Sequence, residues 1–431
     1  MNLSTQMCRS AWAGLALLLS ACGGSGEQNI TIDLNLSRDA RWAADIEYMT
    51  GRMTTVHPNL YHSFSATEFN AAKKALLEDI PRLDDHGLFA RLLQLFALPG
   101  QERDLHMAVS YFDGTDNLIN PLKFYRFEGG VFLIQSLDEH QDFIGGELLA
   151  IDGLPLSEAN AILDSIIPRD NQQSLEVFRN FAYINPAVLY GLGIGNSPTA
   201  TTYSLRLENN EVVEMPVTAI SPINFPLDPS HNLPKDNTVG YLNKRGDLWL
   251  EHFEENATVY IKLNRMVESS GGVSLNDLAQ QTLAIVQQAP GTKVVLDLRQ
   301  NNGGNNELVG DIIDFLRHPE INRPDRLLVF TDRQVLSAAG NLVAELDYRT
   351  QATFIGVPPG GSGSQYGDAK EYRLPYSGIT IYLPTRFWQF GDPDHQPLSQ
   401  TMDVWMEPGI LDYLTKRDPL FERFVLARTG Q

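Results

Sequence analysis

Cysteine is almost absent: the chain of 431 residues holds two, Cys8 and Cys22. Both lie near the start, so no disulfide framework can hold the body of the chain, and a packed core must do so. Positive charge is scarce as well. Lys and Arg number 33 against 53 Asp and Glu, a formal net charge of -20, which excludes the basic surface that a nucleic acid needs. No HExxH stretch or Cys/His cluster offers a zinc site, and "GGSGS" has no Gly-Lys-Ser/Thr to complete a phosphate loop. "GLGIG", Gly191 to Gly195, has the wrong spacing for a dinucleotide fingerprint, and no GxSxG elbow occurs. No metal and no organic cofactor is therefore expected.

What is present is an ordinary globular composition, 43% hydrophobic and 20% charged, on a chain long enough for two or three domains. Residues 1–21 combine Arg9, an apolar run from Ala11 to Leu19 and a small-residue site, the pattern of an export signal. The run is too short to span a bilayer. "LSAC", Leu19 to Cys22, is similar to the lipobox of bacterial lipoproteins, which implies cleavage before Cys22 and a lipid on its thiol. That implies a membrane-anchored protein of the cell envelope facing the periplasm. An ordinary signal peptide would leave Cys22 a free thiol. "GGSGEQN", Gly23 to Asn29, marks residues 22–36 as a flexible tether.

Residues 37–112 carry apolar residues three and four apart and predict a helical domain. "SATE", Ser65 to Glu68, has the form of a capping box, and Asp104 to Phe112 reads as strand-like alternation. Residues 113–220 predict short strands and turns, with a hairpin around "ENNE". "GGELLAIDGLPLSEANAIL", Gly145 to Leu163, is similar to half of a PDZ domain, with 165–198 as an insertion; another small β domain is the alternative. Residues 221–431 then alternate strands and helices, which implies parallel strands with crossover helices. The expected whole is a multidomain α+β protein ending in an α/β core.

Sites in such cores form at the carboxyl ends of strands. "VVLDLRQNNGGNN", Val294 to Asn306, ends a buried strand in a glycine turn, and "LLVF", Leu327 to Phe330, runs into a helix through Ser337. Ser337 reads either as an N-cap, its hydroxyl accepting a first-turn amide, or as a nucleophile beside helix amides. Together the two stretches resemble the S41 peptidases, the tail-specific or C-terminal processing proteases and their tricorn-core relatives. Their "LDLRxNxGG" is matched by Leu296, Asp297, Leu298, Arg299, Asn301, Gly303 and Gly304.

The resemblance implies a ClpP/crotonase-like core and a serine peptidase working through an acyl-serine on a peptide or protein substrate. Ser337 would be the nucleophile, and the amides of Gly303 or Gly304 and of Ala338 the oxyanion donors. The processing-protease branch takes its base from a lysine about 25 residues on, but Ser362 stands there. The tricorn-like branch takes a histidine in a "DxHT" segment, which points to His106 in "ERDLHMAV", with Asp104 before it. For the carboxylate that would orient the imidazole, the family's tail motif falls on "MDVWMEPGI", where Met402 replaces the glutamate. Asp403 is the first choice, with Asp368 and Glu371 behind it. An S41-like binding lipoprotein without catalysis, or a hydrolase acting on esters, are the competing readings.

Overall fold

The computed structural model describes residues 33, 35–111, 113, 118–224 and 230–427. Cys22 and the expected signal segment lie outside them. Among the described residues no helix is long and apolar enough to cross a membrane.

The helical region forms three helices, Arg38–Val56, Ala66–Asp79 and Asp85–Ala97. Each starts on a side-chain cap. Ser65 accepts the Glu68 amide while the Glu68 carboxylate returns to the Ser65 amide, the reciprocal pairing its spacing predicts. Met49, Met53, Leu88, Leu92 and Phe96 fill the inner faces.

The stretch after these helices departs from expectation. Only Ala108–Val109 is strand, while Asp104 to Met107 make a turn closed by the Met107 amide on the Asp104 carbonyl at 3.0 Å. Buried polar anchors at Asp104 and Leu105 override the alternation there. The short strand pairs antiparallel with Thr380–Leu383, so a hairpin from the far end of the chain docks onto the helical region.

The β region is an antiparallel sheet whose strands follow the order Leu122–Phe127, Gly130–Ser136, Glu147–Ile151, Ala200–Arg206, Val212–Thr218. Arg206 lies opposite Val212 around the "ENNE" turn. The 165–198 segment supplies two helices, Gln172–Tyr183 and Pro186–Gly191. One continuous apolar cluster joins the helical region, this sheet, its inserted helices and Leu374, Ile379, Ile381 and Leu383. The first two regions thus share a core rather than keeping separate ones.

The third region is a six-stranded sheet, ordered Val404–Trp405, Thr353–Gly356, Leu327–Thr331, Lys293–Asp297, Thr258–Leu263, Leu248–Phe253. All neighbours are parallel except the last pair. Helices Leu275–Gln288, Val309–Leu316 and Ala338–Arg349 form the crossovers. Side chains alternate between faces: Val294, Leu296, Leu327 and Val329 pack under the helices, whereas Val295, Leu328 and Phe330 meet Leu420 and Val425 of the C-terminal segment.

The Asp-x-Arg of the strand end is part of that second face. Arg299, 1% exposed, donates to Asp297 at 2.6 Å and to Asp418 at 2.8 and 2.9 Å. Asp418 in turn caps the helix Pro419–Phe424. Burial alone would raise the Asp297 carboxyl, but the Arg299 and Lys262 charges outweigh it and hold it down to about 2. These residues fasten the corner and the C-terminal helix, and none of them reaches the serine. Arg299→Ala leaves the buried Asp418 without its cation and Asp297 with Lys262 alone, so a loss of about 3–5 kcal/mol is expected in urea unfolding. A loss below about 1 kcal/mol would contradict the role given to this cluster.

Candidate active site

The strand Leu327–Thr331 ends in a turn that the neighbouring strand end holds in place. The Asp332 carboxylate accepts the Gln300 amide at 3.1 Å and the Gln334 amide at 3.0 Å, and the Leu336 amide donates to the Asn301 carbonyl at 3.1 Å. Ser337 follows with φ 51° and ψ -129°, a backbone state that costs a non-glycine residue about 1–3 kcal/mol.

Ser337 occupies the N-cap position of Ala338–Arg349, yet its side chain makes no capping bond. The hydroxyl faces His106 instead, with Oγ 3.0 Å from Nε2 across 231 positions of sequence. For Nε2 to accept from the hydroxyl, the ring proton must sit on Nδ1; this tautomer follows from the partners. Nδ1 is buried and has no hydrogen-bond partner among the described residues. Burial lowers the imidazole pKa to about 4, opposed by the Tyr366 backbone, which favours the protonated ring. His106 is therefore neutral at pH 7.

The glycine turn lies directly against the serine. Gly303 has φ +102°, and a Cβ built there would come within 2.7 Å of the Ser337 Cβ and 2.9 Å of the Ala338 nitrogen. No larger residue fits that approach. The Gly303 amide, one of the two expected oxyanion donors, is already given to the Asn301 carboxamide at 2.9 Å. On either side of Gly304, the Gly303 carbonyl and the Asn305 amide pair with Met266. In the trans peptide joining the two glycines, the Gly304 amide points opposite the Gly303 carbonyl and so away from Met266.

Asp403 is not at the imidazole. Its carboxylate accepts the Phe354 amide at 2.8 Å and its own amide returns to the Phe354 carbonyl, so it fastens the sheet-edge strand Val404–Trp405. This corrects the expectation that the tail motif supplies the orienting carboxylate: the sheet edge takes Asp403 as acceptor of the Phe354 amide. Asp368 lies just after the strand Ser364–Gly367 and Glu371 within Lys370–Arg373, and among the described residues neither hydrogen-bonds the His106 ring. Ser362, at the place of the lysine in the other branch, gives its hydroxyl to the Leu398 carbonyl at 2.7 Å.

The turn carrying His106 is held by residues that sequence reasoning left without roles. Asp104, fully buried, takes His57 Nε2 at 3.1 Å. The Leu105 amide donates to Asp170 at 2.9 Å, and the Tyr366 amide to the Arg103 carbonyl at 2.8 Å. Gln365 donates to the Ser337 carbonyl at 3.1 Å and to Asn341 at 2.7 Å. Only the "DxH" spacing hinted at Asp104; nothing local marks Asp170 or Gln365.

His57, His62 and Asp104 bring ligating atoms within 4.8 Å of one another, a donor set that could hold zinc. However, His57 Nδ1 accepts the Asn59 amide at 3.1 Å, so Nε2 carries the proton and turns N–H, not a lone pair, toward Asp104. His62 directs its nitrogens at the carbonyls of Asn59 and Glu102, at 3.1 and 3.0 Å. The group is a hydrogen-bonded brace for the base turn, and its hydrogen bonding does not fit a metal.

No protein-family model matches this chain, and no curated protein sequence matches it. Solved structures do. Mature CPAF overlays with a TM-score of 0.55 at 12% identity, covering 88% of this chain and 94% of its own. CPAF complexed with lactacystin gives 0.53 at 12% identity, covering 88% and 96%. The photosystem II D1 C-terminal processing protease covers 86% and 94% at 12% identity, with a TM-score of 0.39 too low to bear weight. Over most of both chains the fold is accordingly that of CPAF.

The strain at Ser337 yields a test separate from activity. Ser337→Gly should be more stable than Ser337→Ala by about 1 kcal/mol or more, because glycine adopts the left-handed backbone without cost. Equal midpoints in urea would show that the turn is not strained.

Proposed function

We propose that this chain is a serine peptidase that hydrolyses peptide bonds through an acyl-serine. The observation that carries the reading is the 3.0 Å contact of His106 Nε2 with Ser337 Oγ, at the carboxyl end of a parallel strand and against a glycine corner. A structural N-cap would have turned that hydroxyl to its own helix.

In this mechanism His106, held neutral by burial, takes the Ser337 proton as Oγ attacks the scissile carbonyl. The carbonyl oxygen becomes an oxyanion beside the amides of Ala338 and Gly304, which the corner holds in place so that little reorganisation accompanies the charge. The imidazolium then protonates the leaving amine. Water, deprotonated by His106, attacks the acyl group and returns the serine.

Among the described residues no carboxylate bonds His106 Nδ1, so its imidazolium is stabilised less than in a full triad, and modest turnover follows. The same feature supports the second reading, a binding lipoprotein with an S41-like fold. Export and anchoring through Cys22 belong to the proposal on the strength of the "LSAC" stretch, with the catalytic body then facing the periplasm from a membrane.

A fluorophosphonate probe should label the intact protein at Ser337 and leave Ser337→Ala unlabelled. His106→Ala should label and turn over peptide at least about 10³-fold more slowly. Because the neutral imidazole is the active form, the His106 acid limb belongs at about pH 4, where protonation of the buried ring removes the base. Folded intact protein that stays unlabelled would favour the binding reading.

A further inference from the structure

Asp170 is 0% exposed and lies in the segment between the β region and its inserted helix. Its carboxylate bridges two pieces of chain, the base turn and the Ser362 loop, which the Tyr366 amide and the Arg103 side chain also tie together nearby. Oδ1 accepts the Leu105 amide at 2.9 Å, one residue from His106. Oδ2 accepts the Ser362 amide at 3.0 Å. The loop holding Ser362 lies on the nucleophile: a Cβ at Gly361 would come within 2.9 Å of the Ser337 nitrogen, the Gly361 amide donates to the Val335 carbonyl at 2.9 Å, and Gln365 reaches the Ser337 carbonyl. The backbone of Asp170 adds to the clamp, its carbonyl accepting the Arg103 amide at 3.1 Å. Its amide is satisfied by Ser174 Oγ at 3.0 Å.

We propose that Asp170 is the positioning residue of this site: as a carboxylate it accepts one amide from the base turn and one from the nucleophile loop, and thereby sets the distance between His106 and Ser337. It touches neither reacting atom. It stands in for the orienting carboxylate that the imidazole lacks, acting on the backbone of the base rather than on its ring. This deepens the peptidase reading and rests on it.

Both amides donate, so the ionised carboxylate, acceptor at both oxygens, fits the clamp, whereas a protonated one turns an O–H toward an N–H. Burial raises the Asp170 pKa to about 7, opposed by the two amides; of the charged groups facing it on the base turn, Asp104 raises it further and Arg103 lowers it. Asp104 is itself coupled to His57 and His62. The sign follows: below about 7 the clamp is protonated and loose, and above it the clamp is ionised and closed, so kcat rises with pH through that range. The His106 limb lies lower.

The test is the pH profile of peptide hydrolysis by the intact protein, Asp170→Asn and Asp170→Glu, with circular dichroism as the check on folding. In D170N kcat should fall about 10²-fold, the cost of a displacement of about 1 Å at a catalytic group. KM should stay within about twofold, and the rise near pH 7 should vanish to leave only the lower limb. D170E, which keeps an anion, should recover part of kcat and the rise. A D170N variant that matches the intact enzyme, or keeps the rise near pH 7, overturns the proposal while the peptidase reading stands. Should D170N not fold, an intact-enzyme profile flat between pH 6 and 8 overturns the proposal and a rise there supports it. An intact protein inert to both peptide and fluorophosphonate overturns this proposal together with the reading beneath it.

Discussion

A hydrogen bond between side chains 231 positions apart can form only if everything between them packs in one arrangement. His106 comes from a turn at the end of the helical region and Ser337 from a strand-to-helix junction of the α/β core. The spacing is enforced on the base side by Asp104, the Leu105 amide and the Arg103 carbonyl, and on the nucleophile side by Asp332, Asn301 and Gly361. Asp104, Leu105, Asn301 and Gly361 among them are buried, where an unpaired polar group costs several kcal/mol, so each fixes position as well as contributing energy. The hairpin bearing Thr380–Leu383 adds a strand to Ala108–Val109, and closes the base turn against the core from the other side.

The corner at Ser337 stores strain that this packing sustains. A left-handed serine persists because the surrounding turn is over-determined: Gly303 fills the space a side chain would need, and Gly361 covers the serine amide. The same logic governs the ionic cluster behind the strand end. Arg299 between Asp297 and Asp418 makes the tail of the chain part of the corner without entering the chemistry. A burial-depressed imidazole fits the role of a base better than that of a cation, since the neutral ring is the form that accepts a proton at neutral pH.

Much of the architecture was legible in the sequence because it rests on periodicity and local chemistry. The alternation of strands with helices after Thr258, the capping box at Ser65 and the hairpin around Asn209 and Asn210 each depend on a few adjacent residues. Ser337 and Gly303 were legible for the same reason, as a polar residue and a glycine at strand ends. Asp104 to Met107 departed from the strand reading, since polar anchoring through Asp104 and Asp170 bends what alternation would make a strand. Asp403 failed as the orienting carboxylate because a tail motif specifies sequence distance, while the sheet edge needed an acceptor for the Phe354 amide. Asp170 left no local sign at all: its partners, Leu105 and Ser362, lie far away in both directions along the chain.

Peptide boronates form a reversible covalent tetrahedral adduct with an activated serine, and a structure of such an adduct tests the central claim most directly. The account predicts a boron bonded to Ser337 Oγ, one boronate oxygen within hydrogen-bond distance of the Ala338 and Gly304 amides, and His106 Nε2 against another. An adduct that forms on a different residue, or a boronate oxygen pointing away from the glycine corner, would contradict it.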